Sequence, residues 1–270
     1  MGPSSRPIWT TLIVYVVAAA AVFGLQLLAV TALLTWHSGG LDLERDGLAT
    51  LLVGVPASSG ALIAIAVLAA GRPRRVRLRL TPSRVSPRAI VAMVIGTLAL
   101  SQVLESLVIA LGAGRGPALE WVGRALASAS PLGLLLAVLV IGLLAPVGEE
   151  LFFRGYMLTR LREAWRAGPA ILVTALAFGL IHGESVHAVL AAGIGLFLGF
   201  VVERSASVWP AVICHVANNT VSVLLSAWVG SPPGRGVHAA LVVGAGLVFG
   251  ASMVWLRRLP PGPLETAAGP

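Results

Sequence analysis

Eight long apolar runs divide this chain, at 9–36, 48–71, 88–113, 131–158, 168–184, 187–203, 207–230 and 237–256. A hydrocarbon layer about 30 Å thick takes roughly 20 mainly apolar residues to cross as a helix. Inside that layer a backbone must satisfy its own polar groups, and a helix does so within one segment. The pattern predicts an all-α polytopic membrane protein with about eight transmembrane helices. The breaks between runs are turn-like or charged: His37-Ser-Gly-Gly, Gly71-Arg-Pro, Gly112-Ala-Gly, Gly168-Pro169 and Ser231-Pro-Pro-Gly.

Composition supports this reading. Of the 270 residues 57% are hydrophobic and 11% charged, with mean hydropathy +0.92. A soluble domain is nearer a quarter charged, so this chain lacks the polar surface to cover a globule in water. The run 9–36 is too long for a signal-peptide core and reads as a retained first helix. Residues 1–130 are expected to hold about three N-terminal helices. Residues 131–258 are expected to form a catalytic helical core, and 259–270, rich in Pro, Gly and Ala, a disordered tail. The single cysteine, Cys214, excludes an internal disulfide.

The basic residues are all arginine, and they cluster beside the apolar runs. That placement suits anionic lipid headgroups and argues against nucleic acid as a partner. With both termini cytoplasmic, the inner side holds Arg6, Arg72, Arg74, Arg75, Arg77, Arg79, Arg84, Arg88, Arg154, Arg160, Arg162, Arg166, Arg204, Arg257 and Arg258. The outer side holds Arg45, Arg115, Arg124 and Arg235. Arginine bias and an even helix count agree on a multi-pass protein of the cell membrane with loop 72–88 inside.

Ionisable groups within a bilayer are costly, which makes each a functional candidate. Here they are Glu105, Glu149, Glu150, His182 and His215, with Arg154, Glu184 and His187 near boundaries and Asn218 and Asn219 as further polar groups. Glu149 and Glu150 are adjacent, so on a helix they face directions about 100° apart. Glu150 and Arg154 are spaced to pair along one face, leaving Glu149 to face another helix. His182 lies about as far beyond the turn near Trp165–Gly168 as Glu149 lies before it. Antiparallel packing then brings the two to similar depth, within hydrogen-bond reach. His215 and Asn219 share a helix face, and two donors aimed at one point stabilise an oxyanion. The plain alternative for that pair is interhelical hydrogen bonding.

Other intramembrane chemistries lack their residues. No His is followed by Glu, as the His-Glu-x-x-His zinc motif requires. Asp42 and Asp46 are the only aspartates and lie in a loop. Ala57-Ser-Ser59-Gly60 lacks the first glycine of a rhomboid-type Gly-x-Ser-Gly. Cys214 adjoins His215 and points elsewhere on the helix.

Glu149-Glu150-x3-Arg154, Phe178-x3-His182 and His215-x3-Asn219, in this order on three helices, resemble the CPBP family. This is the group of type II CAAX prenyl endopeptidases and bacteriocin-processing (Abi) membrane proteases. The resemblance covers roughly 131–225. It implies Glu149 as catalytic base with Glu150 in support, Arg154 as structural arginine, His182 positioning water, and His215 with Asn219 as the oxyanion pair. The expected function is endopeptidase cleavage of a membrane-associated peptide or protein. Two mechanisms stay open: metal-free water activation, which is favoured, and a zinc site held by Glu149, His182 and His215. A non-catalytic immunity or scaffold protein and a transporter are the rival readings.

Overall fold

The computed structural model describes residues 6–36, 47–228 and 234–258. The tail 259–270 and the break at 37–40 lie outside these. Ten helices are described: α1 (Arg6–Trp36), α2 (Gly47–Ala70), the single turn α3 (Arg74–Arg77), α4 (Pro87–Ala110), α5 (Pro117–Ala127), α6 (Pro131–Arg162), α7 (Ala167–Leu180), α8 (Ser185–Ser205), α9 (Trp209–Trp228) and α10 (Arg235–Arg258). α6 is one continuous rod that passes through two π-helical segments, Val138–Leu144 and Leu151–Met157.

Seven of these helices are long and apolar enough to cross a membrane: α1, α2, α4, α6, α8, α9 and α10. The eighth expected span is shorter than its apolar run. α7 has 14 residues, about 21 Å of helix, less than the hydrocarbon thickness. The chain stops helix formation there because Gly183 takes φ +74° and turns it back. The Glu184 carboxylate then caps α8 by accepting from the backbone N–H groups of Val186 (2.8 Å) and His187 (3.0 Å). Apolarity runs on through the turn, so hydropathy alone does not show the stop. α5 lies within 114–130, which the sequence reading assigns to no helix. It is a short amphipathic helix, with Ala125 and Leu126 buried and Glu120 and Arg124 outward.

Burial follows the inversion that lipid imposes. Large apolar side chains such as Leu68, Leu111 and Leu247 face outward, where hydrocarbon replaces water. The interior combines small residues with an aromatic cluster on α6, where Phe152, Phe153 and Tyr156 pack against Phe178 of α7 and Leu198 and Val202 of α8. α1 lies along α2, α10 along α4, and α7 along α8, while α9 packs between α4 and the first π segment of α6. The protein is an all-α, multi-pass membrane protein.

The two ends of the bundle differ. At one end the basic segment after α2 is tied to the α8–α9 turn. Ser207 Oγ donates to the Thr81 carbonyl (2.7 Å) and Val208 N–H to the Arg79 carbonyl (2.9 Å). Arg79 and Arg162 both reach Glu203, at 2.8 and 3.1 Å. Arg204 reaches the Arg257 carbonyl, which brings the end of α10 to the same place. The opposite end is poor in arginine. There Arg115 pairs with Glu105 at 2.6 Å, which accounts for Glu105 as a boundary ion pair.

Candidate active site

α6 carries the adjacent carboxylates on the α-helical turn between its two π segments. Such π insertions in α-helices are frequent at functional sites. Three glycines let neighbours come close to this rod. A Cβ on Gly142 would stand 2.8 Å from Thr220 Oγ1 of α9, one on Gly148 3.0 Å from the Ser59 carbonyl oxygen of α2, and one on Gly155 3.0 Å from the Leu78 carbonyl oxygen. Held at three heights, α6 has one rotation, and that rotation aims its carboxylates.

Glu150 is fully buried. Its Oε1 accepts from Arg154 Nη1 at 2.8 Å and from His215 Nδ1 at 2.9 Å. A carboxylate only accepts, so His215 carries a proton on Nδ1 and presents Nε2 on its other side. The Arg154 guanidinium also lies 4.4 Å over the Phe178 ring, a favourable place for a buried cation. Gly195 of α8 makes room for it, since a Cβ there would come 3.0 Å from Arg154 Nη2. Among the described residues Arg154 Nε and Nη2 and Glu150 Oε2 find no hydrogen-bond partner. A pair so thoroughly desolvated is held by its geometry, and losing either partner strands the other.

Glu149 is the accessible one, its side chain 20% exposed against 0% for Glu150. Its Oε2 lies 3.7 Å from His215 Nε2, longer than a hydrogen bond. The sequence expectation of a Glu149–His182 hydrogen bond is not met among the described residues. The rotation of α6 turns Glu149 toward α9 instead. His182 sits just past the end of α7, where its Nδ1 donates to the Phe178 carbonyl at 2.7 Å. That bond fixes the tautomer and leaves the Nε2 lone pair free. Phe178 links the two histidines: its ring meets His182 edge-on at 5.0 Å and His215 at 5.7 Å. Asn219 shares the His215 face, and its amide donates to the Ile141 carbonyl at 3.2 Å. Ile141 belongs to a π segment, and Asn218 reaches Asn219 Oδ1 at 3.4 Å.

Glu149, Glu150, Arg154 and His215 thus form one connected cluster, with His182 reached through Phe178 and Asn219 tied to α6. The cluster offers an accessible carboxylate, an imidazole lone pair, an imidazole anchored by a second carboxylate, and an amide donor. All of these lie in a low-dielectric niche, where electrostatic contacts are strong. A family model described as "Type II CAAX prenyl endopeptidase Rce1-like" matches residues 131–221, the segment that holds all of them. Residues 131–221 are thus similar to an Rce1-like peptidase core.

A relative, "Putative membrane peptidase YdiL" of Bacillus subtilis (strain 168), is 27% identical over 90 residues, 33% of this chain. The match spans 37% of that protein. No solved structure matches the chain.

Zinc bound by Glu149, His182 and His215 would require all three to converge within about 2.0–2.2 Å of one point. Among the described residues no three His, Cys, Asp or Glu side chains gather to hold a metal. Nδ1 of His215 and Nδ1 of His182 are both engaged within the protein, so Nε2 is the ring nitrogen each could offer a ligand. As placed here, Glu149, His182 and His215 do not gather as a three-ligand set.

Two participants are named in the sequence reading without a role of their own. One is the Phe178 ring, which spaces His182, His215 and Arg154 and enters the sequence only as a motif letter. The other is His187, whose ring centroid lies 4.3 Å from that of His182. The spacing His182-x4-His187 is no helix pattern, because Gly183 and Glu184 turn the chain between them. Glu184 itself is a cap. The N–H groups of Val186 and His187 hold its carboxyl below the usual carboxylate range.

Proposed function

We propose that this protein is an intramembrane endopeptidase that hydrolyses a peptide bond of a membrane-associated protein or peptide. Glu149 takes the proton of a water positioned by the free Nε2 of His182. The water oxygen attacks the scissile carbonyl, and Glu149 later passes the proton to the leaving amine. Glu150 holds His215 by its Nδ1, and His215 and Asn219 stabilise the oxyanion. No step needs a metal ion. The substrate is a membrane-tethered chain cleaved near the arginine-rich face, and a prenyl group is not required for that reading.

The observation that carries it is the division of labour between adjacent carboxylates, Glu150 locked and buried beside a reachable Glu149. A scaffold has no use for an unpaired acid at membrane depth. The test compares the membrane proteomes of cells carrying the wild type and Glu149→Gln. Expected are substrates that accumulate uncut in the variant, with their cleavage products missing. Identical proteomes, with both proteins at equal level, would leave the scaffold reading standing.

A further inference from the structure

We propose that His187 is a positioning residue for this site: with His182 it forms the polar ladder by which water and protons reach the carboxylates from the arginine-poor end. The inference rests on the reading of His182 as the residue that positions water.

The site is walled by apolar helices, and its reaction consumes a water molecule in every turnover. Water crosses such a wall where polar groups succeed one another at short steps. The turn between α7 and α8 supplies them. Glu184 stands at the boundary as the cap of α8 and fixes the backbone of His187 by accepting its N–H. The half-buried His187 ring lies 4.3 Å from the His182 ring, with the planes inclined by 56°. His182 is anchored at Nδ1 by the Phe178 carbonyl, so exchange at His182 is confined to Nε2. Beyond it lie the His215 imidazole across Phe178 and then Glu149. At the other end of the bundle, bonds tie 79–84 to 203–208.

The turn geometry serves this contact. Two histidines five residues apart would lie on different helix faces if the helix ran on. Gly183 at φ +74° breaks the helix between them and folds the second ring over the first. A capping turn alone needs Glu184, not an imidazole three residues later.

Two substitutions separate polarity from packing. His187→Phe keeps an aromatic ring against His182 and removes the polar atoms. His187→Gln keeps a polar group and removes the ring. With purified full-length protein in lipid nanodiscs and a cleavable substrate found in the proteome comparison, His187→Phe should lower kcat about tenfold or more with KM little changed. His187→Gln should stay within about threefold of the parent. Added imidazole should restore part of the activity of His187→Ala. Solvent exchange at the His182 ring, read by nitrogen-15 NMR on the resting protein, should slow in His187→Phe. The idea fails if His187→Phe keeps parental kcat, or if His187→Gln falls as far as His187→Phe. Unchanged exchange at His182 in His187→Phe overturns it without any activity measurement. Cleavage that persists in Glu149→Gln would sink the proposed function instead, so the two failures are distinguishable.

Discussion

Glu150 Oε1 accepts the Nδ1–H of His215 over 2.9 Å, and both side chains are buried. The preceding residue, Glu149, lies 3.7 Å from the other nitrogen of the same ring. One imidazole therefore bonds one carboxylate and faces a second, more exposed one, and the two should respond differently to the same substitution. Glu149→Gln should abolish cleavage while the protein is purified at parental yield. Glu150→Gln should lower both yield and activity, because Arg154 and His215 lose their common acceptor. Size-exclusion yield in detergent, beside a cleavage assay, checks both. Equal losses of yield in the two variants would show that the carboxylates share one structural role.

Arg154 is the counter-charge of a pair with 0% exposure on both sides. Arg154→Ala should destabilise the protein by roughly 3–5 kcal/mol, the usual consequence of stranding a buried charge. The double variant Glu150→Gln, Arg154→Met should recover much of that stability and none of the activity. Thermal unfolding in a fixed detergent reads the first effect and the cleavage assay the second. A stable Arg154→Ala would mean that water reaches the pair.

Asn219 and zinc are tested together, since the mechanisms diverge there. On the metal-free route the purified protein should carry no stoichiometric zinc, and strong chelators should leave activity intact. Asn219→Ala should slow cleavage by roughly 100- to 1000-fold, as loss of an oxyanion donor does, with KM nearly unchanged. One zinc per chain, with activity lost on its removal and regained on its return, would overturn the metal-free route and leave the peptidase assignment intact.

The orientation of the bundle is a separate proposal. Arginine bias places the end bearing the segment after α2 in the cytoplasm. A cysteine at the exposed Arg75 is a clean reporter, because the native Cys214 is fully buried. Arg75→Cys should react in intact cells with a membrane-permeant maleimide only. Labelling by an impermeant maleimide would reverse the orientation.

What the sequence reveals and what it hides divide along physical lines. The Glu150–Arg154 pair is legible, because four residues along a helix bring two side chains together whatever surrounds them. The membrane class is legible, because length and apolarity decide it. The facing of Glu149 is not, since it depends on how α6 is rotated against α2 and α9. That rotation is set by Gly142, Gly148 and the π segments, none of which alters hydropathy. The early stop of α7 is hidden for the same reason: Gly183 and Glu184 act through φ and a cap within a stretch that stays apolar. α5 is missed because Glu120 and Arg124 make an amphipathic turn look like a loop.

The π segments on either side of Glu149 and Glu150 give α6 a phase as well as a length. Each residue of an α-helix advances the azimuth by about 100°, so a π segment works as a local reserve of turn angle. Removing one residue from Val138–Leu144 would let that stretch tighten to α-helix and keep every hydrogen bond and almost all apolar surface. The tighter winding would offset most of the rotation that the lost residue causes, so the flanking halves of α6 would nearly keep their azimuth, while the contacts made inside the segment, Gly142 on Thr220 and Ile141 with Asn219, would be displaced. A lesion nearly silent in hydropathy would then take the Ile141 carbonyl from Asn219, whereas the same deletion near Leu132 would leave that contact in place.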